Sequence, residues 1–190
     1  MAEDAVRLLN HLKIKKAHIV GYSMGAIITA KLLTMHPDRF LTATLGGHGG
    51  IRKGEATGFF EELAGSLERG QGVGPLIAAL TPPGKPKPSE EQVKAISAMI
   101  LLANDPKALA AVIRGFKDLA VSWDKLKANK VPTLALVGNQ DPLKKGVDEL
   151  KGKMGSVTIA YVKDADHVSA LSKAEFLNGL REFLAKHRGR

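Results

Sequence analysis

No cysteine occurs in the sequence, so disulfides, thiolate metal sites and cysteine nucleophiles are excluded together, and a reducing cytoplasmic setting is the expectation. Aromatic residues make up only 5%, with one tryptophan, too few to build stacking platforms for nucleic acid. There is no run of eighteen apolar residues, and the N-terminus mixes charge with apolar spacing from the outset, so neither a membrane span nor a signal peptide is expected. No cluster of His, Asp and Glu has metal-ligand spacing, and no metal or cofactor is implied.

What remains is an ordinary globular composition. With 190 residues and 44% hydrophobic content the chain can bury the core of one unit. Net charge is +9, which raises the question of a nucleic-acid partner. The lysines are dispersed along the chain rather than gathered, which reads as a solvated surface, with no nucleic acid or membrane partner and some attraction for anionic substrates.

The organising stretch is Ile19-Val20-Gly21-Tyr22-Ser23-Met24-Gly25-Ala26. It joins an apolar strand at Ala17-His18-Ile19-Val20 to a helix pattern running from Ala26 to Met35. In Gly-x-Ser-x-Gly, glycines two positions either side leave room for a strained strand-to-helix corner that exposes the serine hydroxyl. The blander alternative is a glycine-softened turn whose serine caps the helix. At a helix N-terminus, unpaired N–H groups and the helix dipole favour developing negative charge.

Around this corner the chain reads as α/β. Ala5, Val6, Leu8, Leu9 and Leu12 predict a first helix, and Phe40 to Leu45 a second strand that runs into Gly46-Gly47-His48-Gly49-Gly50. From Ile51 to Lys130 the patterns turn helical, near 56–69, 73–80, 89–103 and 106–120, with a proline-lysine hinge at 81–88 and a capping box at Ser89. Strands return at 131–138 and 157–162, separated by a helix from Leu143 to Met154, and Ala174 to His187 closes the chain as an amphipathic helix. The expected divisions are therefore 1–50, 51–130 and 131–190.

A serine nucleophile needs a base, and the base needs an orienting carboxylate. Asp141 follows the strand 133–138 and His167 follows the strand 157–162, and in a parallel sheet such positions gather at the edge that also carries Ser23. Asp164 and Asp166 are alternative carboxylates, and His48, in its glycine-rich loop, is an alternative base or a pocket residue beside Tyr22. His11, His36 and His187 read as surface histidines. Met24, Met35, Met99 and Met154 read as fillers of core gaps, and Trp123 with Leu126 as packing between the helical insertion and the strand at 133.

Gly21-Tyr22-Ser23-Met24-Gly25, the Val131-Pro132-Thr133-Leu134 strand leading to Gly138 and Asp141, and the late Asp166-His167 resemble the α/β-hydrolase fold family, particularly its small esterases. The resemblance runs from residue 1 to about 188. It implies an α/β fold of three layers, a parallel sheet of about four strands with a helical cap insertion. It also implies Ser23 as nucleophile, His167 as base then acid, Asp141 as the imidazole's partner and the Met24 backbone N–H as one oxyanion donor. The expected activity is hydrolysis of a small-molecule carboxylic ester through an acyl-serine, with Phe59, Phe60, Leu63, Leu76, Ile77, Leu80, Met99 and Phe116 lining an apolar pocket or forming the insertion's own core. Alternatives on the same scaffold are lactone or carbon–carbon bond hydrolysis, perhydrolysis, or a non-catalytic role in binding or assembly.

The family ordinarily has four strands and a helix before the elbow strand, and the loop after its third strand supplies a second oxyanion N–H. Here the reading begins at the helix before the elbow, with no His-Gly stretch upstream of Ser23. Loss of an oxyanion donor costs on the order of a hundredfold in rate. The same reading leaves the strand 17–22 at an open edge, where the expectation is a homodimer.

Overall fold

The computed structural model describes residues 1–55 and 57–188; Ala56, at the start of the helical segment expected from 56, and the last two residues of the division expected at 131–190 lie outside them. The chain divides into two compact units. One joins residues 1–52 to 119–190 and contains the sheet, and the other spans 53–118.

In the first unit, α1 (Ala2–His11) leads to β1 (Ala17–Tyr22), α2 (Met24–Met35) and β2 (Phe40–Gly46). After the other unit come α7 (Trp123–Ala128), β3 (Thr133–Gly138), α8 (Lys144–Asp148), β4 (Val157–Val162) and α9 (Ala174–Ala185). The four strands form one parallel sheet in the order β1-β2-β3-β4. Each parallel step needs a crossover of a dozen or more residues, which α2, the helical unit and α8 provide.

Strand register separates the two faces. Gly21, Leu45 and Ala135 lie in one row, and a Cβ built on Gly21 would strike Gly25 and Thr29 of α2, so this row faces α2. Tyr22, Gly46 and Leu136 lie in the next row, and Tyr22 and Leu136 pack with Phe176 and Phe183 of α9 on the opposite face. Side chains alternate along each strand, so α2 and α9 cover opposite sides and make three layers. Each fully buried leucine, among them Leu32, Leu33, Leu45 and Leu136, contributes about 2 kcal/mol by removal of its apolar surface from water.

Several local expectations are corrected. β1 lies at the sheet edge, as its position in the reading implied, but its apolar run is not buried throughout: His18 is exposed and Val20 is 47% exposed. The helix expected from Leu143 to Met154 is one short helix, Lys144–Asp148, followed by turns in which Gly152 takes a positive φ of 74°. Of the four methionines assigned to core gaps, only Met154 is buried; Met24, Met35 and Met99 are exposed, Met99 by 67%. Trp123 lies in the sheet unit between two cations, the Arg52 guanidinium 3.9 Å from its ring centroid and the Lys153 ammonium 4.2 Å from it.

The second unit contains α3 (Thr57–Glu68), α4 (Gly74–Leu80), α5 (Glu90–Ala103) and α6 (Pro106–Arg114). Ser89 and Gln92 make the reciprocal capping box at α5, and Asp105 caps α6 ahead of Pro106. Of the apolar residues weighed as a pocket, Leu63 is buried in this unit's own core with Ala64, Leu67, Val73 and Ala110, and Phe59, Leu76 and Ile77 pack against it, whereas Met99 is exposed. Arg114 ties α6 to α3 through Glu61, at 3.0 Å, and Glu68. Among the described residues no single helix is long and apolar enough to cross a membrane.

Candidate active site

Ser23 sits between the end of β1 and the start of α2 at φ 52° and ψ −111°. A non-glycine residue in this region costs about 1–3 kcal/mol and persists only where its surroundings hold it. Two features do so. The Ser23 N–H donates to the Gly46 carbonyl at 2.8 Å, and Gly21 is closed against α2, where a Cβ would lie 2.1 Å from the Gly25 oxygen. Gly25 itself is different from the expectation: a Cβ there meets nothing within 4 Å among the described residues, so only the first glycine of the motif is sterically required in this structure. The serine side chain makes no helix-capping bond, and its oxygen is turned away toward the carboxyl ends of the later strands.

There the structure brings three side chains together. The Ser23 Oγ lies 2.9 Å from His167 Nε2, and His167 Nδ1 lies 2.8 Å from Asp141 Oδ2. His167 and Asp141 are each only 4% exposed. Asp141 is itself held, because its other oxygen accepts the Leu143 N–H at 2.8 Å. With one carboxylate oxygen fixed by the backbone and the other on Nδ1, the imidazole carries its proton on Nδ1 and offers Nε2 as acceptor for the serine hydroxyl.

The competing carboxylate and base are placed elsewhere. Asp166 turns back on its own loop, accepting from Ser169 N at 2.9 Å, Ser169 Oγ at 2.7 Å and Val168 N at 3.2 Å. Asp164 occupies a turn at φ 50°. His48 bonds neither Ser23 nor Asp141; its Nδ1 accepts the Gly50 N–H at 3.0 Å. Burial, reinforced by His167 and Arg52 and opposed by Asp141, lowers its pKa to about 4, so it is a neutral imidazole beside the cluster.

Tyr22 reaches the same place from β1. Its hydroxyl donates to the His167 carbonyl at 2.5 Å, and its ring lies 5.3 Å from the imidazole and 5.6 Å from Phe176. Burial, with Asp141 and Asp166 adding to it, pushes the phenol above its ordinary value and keeps it a neutral donor. The Met24 N–H stands at the first position of α2, before the first backbone bond of the turn, from Ala26 N to Ser23 O at 3.0 Å. It is one of the N–H groups a helix leaves unpaired.

The fold agrees with comparison to known proteins. A family profile for the alpha/beta hydrolase fold matches residues 1–62. 3-Oxoadipate enol-lactonase 2 of Acinetobacter baylyi is 26% identical over 195 residues, spanning 98% of this chain and 70% of the relative. A thermophilic esterase from Thermogutta terrifontis superposes with a TM-score of 0.75 at 26% identity, covering 98% of this chain and 71% of the esterase. A carboxylesterase structure from the thaumarchaeon Nitrososphaera gargenis gives the same TM-score at 18% identity, over 98% of this chain and 71% of its own. The chain has the α/β-hydrolase fold, and the relatives named here are hydrolases.

Proposed function

We propose that the protein is a serine hydrolase that cleaves small carboxylic esters through an acyl-serine intermediate. The observation that supports this best is the continuous chain of contacts from Ser23 Oγ through His167 to Asp141, at 2.9 and 2.8 Å. A free serine hydroxyl is a poor nucleophile at neutral pH, and an imidazole within hydrogen-bond reach removes its proton as the bond forms.

In the first half-reaction, Ser23 Oγ bonds to the ester carbonyl carbon while its proton passes to His167 Nε2. The negative charge on the former carbonyl oxygen is met by the Met24 N–H and the N-terminal end of α2. Collapse breaks the carbon–alkoxide bond, and the alcohol leaves with the proton from Nε2. Water then attacks the acyl-serine with the same imidazole as base, releasing the acid and restoring Ser23. Asp141 stays ionised throughout and stabilises the imidazolium.

A cyclic ester follows the same steps with its alcohol still tethered to the acyl group. The enol-lactonase relative favours a lactone as the second substrate class to assay. The decisive experiment is Ser23→Ala, assayed with p-nitrophenyl acetate and with a fluorophosphonate probe read by intact mass. Both hydrolysis and labelling are expected to vanish, and turnover retained by that variant overturns the proposal.

We propose also that the open edge of β1 is a self-association surface. The strand pairs only with β2 in the described sheet, and Val20 on it is 47% exposed. An uncovered apolar edge is a ready template for another strand.

A further inference from the structure

The structure assigns Tyr22 as a positioning residue for the imidazole of His167, an inference that rests on the serine-hydrolase reading above. His167 follows a loop whose next residue, Val168, is 76% exposed, so the main chain at this point has solvent on one side. Asp141 holds the ring at Nδ1 and Ser23 Oγ meets it at Nε2, but neither contact fixes the main chain that carries the ring. Tyr22 supplies that restraint. Its O–H donates to the His167 backbone carbonyl at 2.5 Å, while its ring packs on the imidazole at 5.3 Å, inclined by 42°. Main chain and ring of one residue are thus both held by one side chain.

That side chain is covalently next to the nucleophile. Tyr22 ends β1 and Ser23 follows it, so the tyrosine acts as a strut between the corner that carries the hydroxyl and the loop that carries the base, 145 residues apart. The neighbouring strand is shaped to admit it. A Cβ on Gly46 would lie 2.6 Å from Tyr22 Cδ2, and one on Gly47 would lie 2.9 Å from Tyr22 Cζ and 3.0 Å from His167 Cε1. Phe176 closes the slot edge-on at 5.6 Å. Glycines at both positions leave the space in which the phenol and imidazole sit together.

The test is Tyr22→Phe, which keeps the ring in its slot and removes only the donor. Misplacement of a base by a fraction of an ångström acts on the chemical step rather than on substrate binding. For p-nitrophenyl acetate, kcat is expected to fall about tenfold with KM unchanged. The fluorophosphonate labelling rate should fall by the same factor. Loosening His167 from Asp141 also withdraws the carboxylate's support for the imidazolium, so the acid limb of kcat/KM should move to lower pH. The proton shared between His167 and Asp141 should shift in its low-field NMR resonance, a readout that requires no turnover.

Wild-type kcat, acid limb and resonance in a folded Tyr22→Phe protein would overturn the assignment. If the wild-type protein is not labelled at Ser23 at all, the acyl-serine reading fails and takes this one with it. If it is labelled and Tyr22→Phe matches it throughout, the Tyr22 assignment fails alone.

Discussion

Gly138 lies so close beneath Ala165 that a Cβ on it would sit 2.2 Å from the Ala165 carbonyl oxygen. The contact joins the ends of β3 and β4, and the Gln140 N–H donates to that same carbonyl at 2.9 Å. Asp141 and His167 stand just beyond these two points. Gly138→Ala must push the loops apart, so it is expected to cost about 1–3 kcal/mol in stability. It should also slow phosphonate labelling of Ser23. Urea unfolding and labelling rate measured together check this, and wild-type values in both would show that the loops have slack.

The two glycines of the motif should behave oppositely. Gly21→Ala brings a methyl group to 2.1 Å from backbone and is expected to destabilise the fold by about 1–3 kcal/mol. Gly25→Ala places its methyl in open space within the first turn of α2, where alanine is the better helix former by up to about 1 kcal/mol. Thermal unfolding of the two variants side by side reads the contrast. Equal losses would mean that Gly25 is hemmed in after all.

Asp141→Asn tests the tautomer. A carboxylate accepts the Nδ1 proton, whereas an amide can turn its NH2 toward Nδ1 and so move the ring proton to Nε2, where it blocks acceptance from Ser23. By analogy with the same substitution in other serine triads, kcat is expected to fall about 10⁴-fold. A loss smaller than tenfold in p-nitrophenyl acetate hydrolysis would remove Asp141 from the relay.

His48 makes the fold acid-sensitive. In the unfolded chain it titrates near pH 6.5, and in the folded protein near 4. Above pH 6.5 it is neutral in both states and changes nothing. As pH falls from 6.5 toward 4 the unfolded chain takes up a proton that the folded protein does not, so stability is lost, in total about 3 kcal/mol. His48→Gln should flatten the loss of urea midpoint between pH 7 and pH 4. An unchanged slope in the variant would assign the acid sensitivity to other groups.

For the β1 edge, sedimentation at micromolar concentration should give the mass of a dimer, and a charge placed at the edge by Val20→Lys should return a monomer. A fully active monomer of the unsubstituted protein would dispose of self-association.

Much of this architecture could be read from residue order alone, for physical reasons that differ by element. Short apolar runs bounded by glycine and proline mark β2 and β3, and a parallel sheet sends whatever follows each strand to one edge, which is why Ser23, Asp141 and His167 can be singled out while far apart in the chain. Other features were not legible. Helical spacing places Met24, Met35 and Met99 without saying which side of the helix is covered. The helix after Leu143 is cut short at Asp148 by turns that glycines at 152 and 155 permit but do not require. The weight carried by Gly21 rather than Gly25 depends on how closely α2 approaches β1, and the reach of the Tyr22 hydroxyl to a carbonyl 145 residues away depends on tertiary packing that no local pattern encodes.

The lone tryptophan, held between Arg52 and Lys153, gives the molecule an optical marker at a single known address. Its emission during denaturation follows the sheet-bearing unit alone, since the helical unit of residues 53–118 contains no indole. Far-ultraviolet circular dichroism sums over both. Comparison of the two signals therefore tells whether the halves of the protein melt in one step or in succession, without any label being attached.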